Sequence, residues 1–350
     1  MERSKCCVGV DISKDDFTAC LAFGEETAKY SFSSVEKFPN EKRGFNRLMR
    51  RVRKQASTHH ELTFLMEATG VYHESPAYHL HGLKQRVCVV LPNSIKHYGI
   101  SLGISSKTDP IDARLPARPG VEREHRLWTP PGKDLRKLRQ LTRYVGQLKD
   151  QRTAIENLRH SQESGYETAA LVAKSMKKVL KPINQAIDDT RQEIEQLIAQ
   201  TPPLSEKLKY VLSIPGVGLH SAAVIIAETQ GFEHIRSIKQ LTGYAGYDVV
   251  MRESGSSVKA KTRISKKGNS YLRAALFYPA MVATRFNPEM KRFYLRINGR
   301  NTSKMVGQVA VQRKLLVLIY TLWKNEVVYD PDRYKKTAPT KTAEAAPDRR

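Results

Sequence analysis

The sequence has no cysteine or histidine spacing of the kind that binds zinc. Its four cysteines are Cys6, Cys7, Cys20 and Cys88, and no two of them form a Cys-x-x-Cys pair. Three of them lie in strand-like runs, where a free thiol behaves as a small apolar residue. The ten histidines form no ligand pattern either. These absences argue against a zinc site and are typical of a protein in a reducing cytosol.

Long apolar runs are also missing. No run reaches the roughly 20 residues that a membrane span requires. The most apolar late stretch, 315–323, is short and follows Arg313 and Lys314, so it is predicted to be a helix or strand of a core. The N-terminus lacks the charged region, apolar segment and cleavage site of a secretory signal. We therefore expect a cytoplasmic protein without a membrane partner.

Acidic residues are scarce relative to basic ones. The 350 residues include 59 Lys and Arg against 35 Asp and Glu, which gives a formal charge of +24. Such an excess predicts a polyanionic partner, with nucleic acid as the first choice and an anionic membrane surface as its rival. The length allows two or three domains, each with its own core.

Residues 5 to about 125 alternate between strand-like and helix-like segments. Three strand-like runs come first, and helices and strands then alternate. The predicted strands are 7–10, 17–23, 29–33, 64–66 and 87–91, and the predicted helices are 44–55, 75–83 and a segment from Asn93 onward. This pattern indicates an α/β fold.

Four carboxylates lie where these predicted elements end or begin. Asp11 and Glu67 each close an apolar strand, Asp109 is predicted to cap a helix, and Asp112 lies one turn further on. Converging acids need a cation to offset their repulsion, and oxygen ligands favour Mg²⁺ or Mn²⁺. In the alternative interpretation, Asp109 and Asp112 only satisfy free helix amides, while Asp11 opens a turn and Glu67 caps a segment.

The predicted helix at 44–55 is apolar on one face and basic on the other. The basic face carries Arg43, Arg47, Arg50, Arg51 and Lys54. A solvated surface is the usual explanation of a charged face. Because no acid accompanies these five charges, a contact with a phosphate backbone is favoured here.

From about 130 to 200, apolar residues recur three and four positions apart on two segments. This spacing predicts two long helices that form a coiled-coil arm or hairpin. Pro182 interrupts the second segment, so that helix either kinks or begins there. An ordinary two-helix packing unit and an oligomerisation device both remain open.

The last block, from about 204 to 330, contains two candidate phosphate contacts. Residues 213–218 resemble the hairpin of helix-hairpin-helix modules, whose glycines let backbone amides approach a phosphate, although a simple turn between helices has the same composition. Residues 253–257 form a hydroxyl-rich loop in a basic segment that suits a phosphodiester or serves as a flexible binding loop. The basic residues of this segment are Arg252, Lys259, Lys261, Arg263, Lys266, Lys267 and Arg273, and all but Arg252 are candidate nucleic-acid contacts.

Ordered motifs along almost the whole chain resemble one known family. They are residues 8–11, 66–70, 107–114, 214–218, 241–246, 253–255 and 264–273. They resemble the DEDD-type transposases of insertion-sequence family one-hundred-and-ten, described as bridge-RNA-guided serine recombinases. The resemblance implies an RNase H-like (RuvC-type) domain over 1–128, a coiled-coil domain over 129–202 and a mainly helical transposase domain over 203–332. The tail over 333–350, rich in Lys, Ala, Thr and Pro, is predicted to be disordered from its composition.

The resemblance also implies residue roles. By this resemblance the metal-binding tetrad consists of Asp11, Glu67, Asp109 and Asp112, and the nucleophile is Ser254. Ser254 is chosen over Ser256 and Ser257 because only Ser254 matches the Ser-Gly motif of the family. One departure concerns the helix that bears Asp112. Pro116 and Pro119 stand where the family continues an aliphatic helix, so this helix is expected to end early.

The function implied is RNA-guided, magnesium-dependent DNA recombination in the bacterial nucleoid. The expected partners are a structured guide (bridge) RNA, donor and target double-stranded DNA, and further copies of the chain in a dimer of dimers. Two alternatives are a metal-dependent, structure-selective nuclease of RuvC type that uses water, and a non-catalytic nucleic-acid-binding protein. A covalent protein–DNA adduct would distinguish the recombinase from both.

Overall fold

Alternating apolar residues in the first part of the chain build one mixed β-sheet. In the computed structural model, which describes residues 5–24, 30–56, 61–68, 70–104, 109–251, 253–254, 258–259 and 262–332, this sheet has six strands. They are β1 (Lys5–Ile12), β2 (Asp16–Gly24), β3 (Tyr30–Phe32), β4 (Glu36–Pro39), β5 (Glu61–Glu67) and β6 (Arg86–Val90). The α/β prediction is confirmed, and β4 is a strand that the sequence did not predict.

The order of the strands is β3-β2-β1-β5-β6, and β4 also pairs with β2. Strands β1, β5 and β6 run parallel to one another, whereas β2 is antiparallel to β1 and β3 is antiparallel to β2. This arrangement gives β1 and β5 neighbouring carboxyl ends.

Helices cover both faces of the sheet. They are α1 (Lys42–Gln55), α2 (Glu74–Gly82), α3 (Pro92–Ser101) and α4 (Asp109–Glu122). Val8 and Val10 of β1 lie in a core with Phe45 of α1, whereas Cys7 lies in a separate core with Ala117 of α4. Because successive residues of a strand point to opposite faces, β1 is buried on both sides.

Helix α4 does not end early, so that prediction was wrong. It continues through Pro116 and Pro119 to Glu122. Ala113 and Ala117 of this helix are completely buried against the sheet. A methyl group added to Gly9 would overlap the backbone of Ala117, which shows how closely the helix approaches β1. Packing over this length stabilises the helix against the loss of the two proline amides.

The residues up to Pro130 form one compact unit, and those from Pro131 form another that is mostly helical. The second unit opens with α5 (Lys133–Glu163) and α6 (Ala170–Ala199). These are the predicted pair of long helices. Helix α6 runs through Pro182, so the interpretation in which it begins there was wrong.

The second unit continues with short helices and two small ribbons. Its helices are α7 (Pro202–Leu212), α8 (Leu219–Thr229), α9 (Ile238–Ala245), α10 (Ser270–Phe286), α11 (Pro288–Asn298) and α12 (Lys304–Asn325). The ribbon strands are β7 (Val249–Val250), β8 (Glu253–Ser254), β9 (Val258–Lys259) and β10 (Arg263–Ile264).

One core joins the long helices to the helices that follow them. It contains Val145 of α5, Ile194 of α6, Ile226 of α8 and Leu315 of α12. Helix α12 is long and apolar enough by composition to cross a membrane, but 44% of its most apolar 18-residue stretch is buried inside the protein. It therefore has the character of a core helix, as predicted for 315–323. The predicted disordered tail lies outside the described residues.

Candidate active site

Two of the four predicted acids lie side by side at one edge of the sheet. Strands β1 and β5 pair in parallel with Val10 opposite Met66. Asp11 and Glu67 are the next residues on these strands, so the register brings them to the same carboxyl edge. Both are partly exposed. Each acid thus lies at or next to the carboxyl end of a strand, as predicted, and the pairing of β1 with β5 was not predicted.

The direction of α4 brings its first turn toward the same edge. Ala117 lies over Gly9, and Gly120, further along the helix, lies over Cys7, nearer the start of β1. Helix α4 therefore runs antiparallel to β1. At about 1.5 Å per helical residue and 3.3 Å per strand residue, the start of the helix lies near the level of Asp11.

Asp109 and Asp112 occupy this first turn of α4, and their side chains lie outside the described part of the structure. Among the side chains that are described, no three metal-binding residues lie together. A metal site at this edge would need ligands in addition to Asp11 and Glu67, and the predicted ones are Asp109 and Asp112. The donors in that set are all carboxylate oxygens, which fit Mg²⁺ or Mn²⁺ rather than a softer metal.

The predicted nucleophile lies on a short antiparallel ribbon in the second unit. Ser254 of β8 pairs with Val258 of β9, and β7 pairs with β10 nearer the ends of the segment. Ser256 and Ser257 lie outside the described residues. Ser254 is therefore the last described residue before 255–257, which join the two strands in the sequence.

The base of the ribbon is anchored to the turn after α9. The Ser265 amide donates to the Asp248 carbonyl at 2.7 Å, and the Lys266 amide donates to the Gly246 carbonyl at 3.1 Å. Gly246 has φ of +75°, a conformation that favours glycine. These contacts connect the motifs 241–246 and 264–273 and fix where the ribbon begins.

A buried ion pair, which the sequence did not indicate, lies behind this base. The Glu228 side chain at the end of α8 is only 1% exposed. Arg143 of α5 donates to its two oxygens at 2.6 and 2.9 Å. The hydrogen bonds to Glu228 hold the pKa of Arg143 above its usual value. The only signal in the sequence was an acid that directly follows the apolar run of α8.

Asn269 extends this pair to the basic motif. Its Nδ2 donates to Glu228 at 2.6 Å, while its Oδ1 accepts from the Tyr271 and Leu272 amides and so caps α10. Tyr244 of α9 donates to the Glu228 carbonyl at 2.8 Å. The Glu228 carboxylate therefore links α5, α8 and the start of α10, and the backbone carbonyl of the same residue adds α9.

The basic residues of α1 differ in how available they are to contact a phosphate backbone. Arg51 is largely buried, with a side chain 9% exposed, and pairs with Glu36 at 3.2 Å. Arg47 also pairs with Glu36, and Arg43 pairs with Glu41. The acids that the helix itself lacks are thus supplied by the residues before it. Arg50 and Lys54 are exposed.

The basic residues near the ribbon are likewise mixed. Arg273 is half-buried and donates to the Ala245 carbonyl at 2.7 Å, so it helps to hold the base of the ribbon. Arg263, Lys266 and Lys267 are exposed. Lys261 and the side chain of Lys259 lie outside the described residues.

The Pro-Gly segment at 213–218 does form a turn between two helices, α7 and α8. Gly216 has φ of +93° and packs against Val282 of α10. Gly218 is exposed and faces open space. A ligand can therefore approach the backbone at Gly218, whereas the Gly216 side of the turn is occupied.

Two protein-family models match the chain. One, described as Transposase, the DEDD type of IS110, matches residues 8–162, and the other, described as Transposase IS116/IS110/IS902 family, matches residues 208–295. A pilin gene-inverting protein from Moraxella lacunata is 30% identical over 336 residues, which is 93% of this chain and 98% of that protein. The chain belongs to the IS110 family of transposases.

Other relatives agree with this membership. A pilin gene-inverting protein from Moraxella bovis is 28% identical over 333 residues, covering 93% of this chain and 98% of the relative. An uncharacterized 42 kDa protein of insertion element IS900 from Mycobacterium paratuberculosis is 26% identical over 176 residues, covering 50% of this chain and 43% of the relative. The protein is thus an IS110-family transposase, an enzyme of DNA recombination.

The Arg143–Glu228 pair joins the two regions that the family models match, and we expect it to stabilise the second unit. Truncation of either residue leaves a buried charge or hydrogen-bonding group without its partner. Because Arg143 is 38% exposed, water screens part of the loss, and we expect each alanine variant to lose about 2–3 kcal/mol of unfolding free energy in urea.

The exposed Lys209–Glu206 pair is the matched control, and its alanine variants should lose less than about 1 kcal/mol. A double-mutant cycle on Arg143 and Glu228 should give a coupling energy well above that of the control cycle. Equal coupling in the two cycles would contradict a special structural role for Glu228.

Proposed function

We propose that this transposase is an RNA-guided DNA recombinase that cuts and rejoins DNA through a covalent link to Ser254. Asp11, Glu67, Asp109 and Asp112 hold Mg²⁺ in this proposal. The observation that carries it is the antiparallel packing of α4 on β1, which directs the first turn of α4 to the edge that already bears Asp11 and Glu67. The strand order β3-β2-β1-β5-β6, in which β2 alone runs opposite to the other four strands, supports an RNase H-like unit.

The acids and the serine have separate tasks. Bound divalent cations would polarise the scissile phosphodiester and stabilise the oxygens that attack and leave. The four carboxylates hold and orient those cations, and their geometry depends on how α4 lies on the sheet. Ser254 supplies an oxygen nucleophile from a ribbon whose base is fixed by Asp248 and Lys266.

The covalent steps are two transesterifications. The Ser254 hydroxyl gives up its proton, and Oγ attacks the phosphorus while the bond to the 3′ oxygen breaks. The products are a 3′ hydroxyl and a 5′ phosphate bound to the serine. The 3′ hydroxyl of another strand then attacks, and the serine leaves and regains a proton. Each step exchanges one phosphoester for another, so no external energy source is required.

Rejoining also agrees with the names of the relatives. The Moraxella proteins are described as inverting a pilin gene, and inversion of a DNA segment requires that cut ends be joined again. A hydrolase that uses water would lose the phosphoester bond at each cut. We therefore favour a recombinase over a nuclease.

The shared-site part of the proposal comes from the chain order. The acids and Ser254 belong to different units, and the second unit begins with two helices of about thirty residues, α5 and α6. Helices of this kind are well suited to joining protomers. In the proposed oligomer, a dimer of dimers, each site takes its tetrad from one protomer and its serine from another.

The tetrad is tested by isosteric substitution. Four variants each remove the charge of one ligand with little change in volume. They are Asp11→Asn, Glu67→Gln, Asp109→Asn and Asp112→Asn. We expect strand cleavage to fall below about 1% of the wild-type rate in each variant, and EDTA to abolish it in the wild type. Asp15→Asn, on the exposed turn after β1, is the matched control and should remain active. Full cleavage in EDTA would refute the metal site.

The serine and the shared site are tested together. Ser254→Ala should form no protein–DNA adduct on a denaturing gel, whereas Ser256→Ala should form it normally. When Asp11→Asn and Ser254→Ala proteins are co-assembled, some sites combine the intact tetrad of one chain with the intact serine of the other. We expect about a quarter of the sites to be intact at equal mixing, with recombination partly restored.

The contrary results are distinct. If tagged pull-down confirms mixed oligomers but no product appears, Ser254 acts within its own chain. If Ser254→Ala cleaves DNA at the wild-type rate, the enzyme uses water and is a nuclease.

RNA guidance is tested with the noncoding RNA transcribed from the element. We expect this RNA to co-purify with the protein, because the chain carries a large positive charge and exposed basic residues on α1 and the ribbon. Changing the pairing loops of the RNA should redirect the choice of DNA without any change of amino acid. Recombination at the unchanged target after complete nuclease removal of RNA would rule out guidance.

A further inference from the structure

A cluster of basic side chains lies where α5, α6 and α8 meet, and none of the sites described above uses it. We call it the elbow cluster. Its members are Lys149 and Arg152 of α5, Arg191 of α6 and His220 of α8. It lies at the opposite end of α8 from Glu228, and therefore apart from the ion pair that anchors the ribbon.

The packing of α5 on α8 explains why these residues meet. Leu135 packs over Gly231 just beyond the end of α8, and Arg143, two turns later on α5, pairs with Glu228. The two helices therefore run antiparallel. Continuing along α5 past Arg143 leads back to the first turn of α8, where His220 lies.

The electrostatics of the elbow cluster favour an anion. Lys149 is half-buried and makes no ion pair with any described residue. Burial lowers its pKa, and the charges of Arg191 and Arg152 lower it further. Burial, with Lys149 and Arg191, also lowers the pKa of His220 to about 4. Like charges held together at a partly buried site are costly until an opposite charge arrives.

The nearby acids offset only part of this charge. Glu156 lies 3.8 Å from Arg152, and Asp188 lies 3.5 Å from Arg191. Each acid sits on the same helix as its arginine, and neither pairs with Lys149. The Nδ1 atom of His220 is buried and has no hydrogen-bond partner among the described residues.

The Pro-Gly turn before α8 adds an open approach to the backbone. Gly218 faces open space, and no side chain caps the first amides of α8. Free amides at a helix start attract phosphate oxygens. A polyanion laid along this surface would meet the amides and the elbow cluster together.

We propose that the elbow cluster, together with the turn at Gly218, binds the phosphate backbone of double-stranded DNA. The choice of DNA rests on the membership of the chain in a family of DNA transposases. The cations of α5 and α6 lie beside the first backbone amides of α8. Such a spread of donors over three helices suits several consecutive phosphates better than it suits one small anion. The site contacts no bases, so it would position DNA without selecting its sequence.

The test measures binding of a 30-base-pair duplex of arbitrary sequence to the full-length protein by fluorescence anisotropy. EDTA is present throughout, so neither cleavage nor the proposed metal site affects the result. The variant is Lys149→Gln/Arg191→Gln. The matched control is Lys174→Gln/Lys178→Gln, which removes the same charge from exposed positions of α6.

We expect the elbow variant to bind at least about tenfold more weakly at 0.1 M salt, with the slope of log K against log salt reduced by nearly 2, since each lost phosphate contact removes about 0.9. The control should change affinity less than about threefold. Lys149→Arg/Arg191→Lys keeps both charges and should bind normally. Thermal melting of each variant identifies any loss that comes from unfolding.

Three results would overturn the proposal. Equal weakening by the elbow variant and its control would mean that net charge alone matters. An unchanged duplex affinity with a lost affinity for an RNA hairpin of equal length would assign the surface to RNA. Weaker binding by the elbow variant with the same slope of log K against log salt as the wild type would exclude direct phosphate contacts. Ser254→Ala should bind the duplex normally, which separates this surface from the proposed chemistry.

Discussion

The close contact between α4 and β1 determines the geometry of the first unit. Gly9 has no side chain, so the backbone of Ala117 can lie directly on the strand, and Gly120 allows the same approach above Cys7. A larger residue at either glycine would move the helix away from the sheet. Because Asp109 and Asp112 open this helix, the height at which it lies also sets their distance from Asp11 and Glu67. The proposed arrangement of four acids therefore depends on two positions that carry no functional group.

A second fixed point, the Glu228 carboxylate, has a comparable role in the other unit. This carboxylate accepts hydrogen bonds from Arg143 and Asn269, and the backbone carbonyl of Glu228 accepts one from Tyr244. These partners come from regions far apart in the chain, so none of them could be positioned by local structure. The ribbon that carries Ser254 starts within this framework, since Asn269 closely follows its last strand. Burial of a charge is costly, but a fully hydrogen-bonded one fixes a single arrangement of the helices around it.

Much of the fold could be predicted from periodicity, and the errors have identifiable physical causes. Apart from β4, the strands of the first unit and helices α1 and α2 were predicted within a few residues of their observed bounds, and the two long helices lie within the block predicted for them at about 130–200. Pro116 and Pro119 indicated a helix end, but burial of Ala113 and Ala117 outweighed the lost amides. The arginines of α1 looked unpaired because Glu36 and Glu41 lie outside the helix. The Arg143–Glu228 pair joins residues 85 apart, and no local pattern predicts such a contact.

The ribbon geometry bears on how a serine could serve as the nucleophile. Each strand of the ribbon has two residues, and so short a pairing contributes few hydrogen bonds of its own. Its position is therefore set at the base, through Gly246, Asp248 and Lys266, rather than along its length. In the proposed mechanism, a nucleophile held in this way has a defined origin at the base of the ribbon. That suits a residue that must reach a phosphate, remain bonded to it while strands exchange, and then be released. A water nucleophile would need no such element, so the anchored ribbon agrees with the proposed covalent chemistry at Ser254.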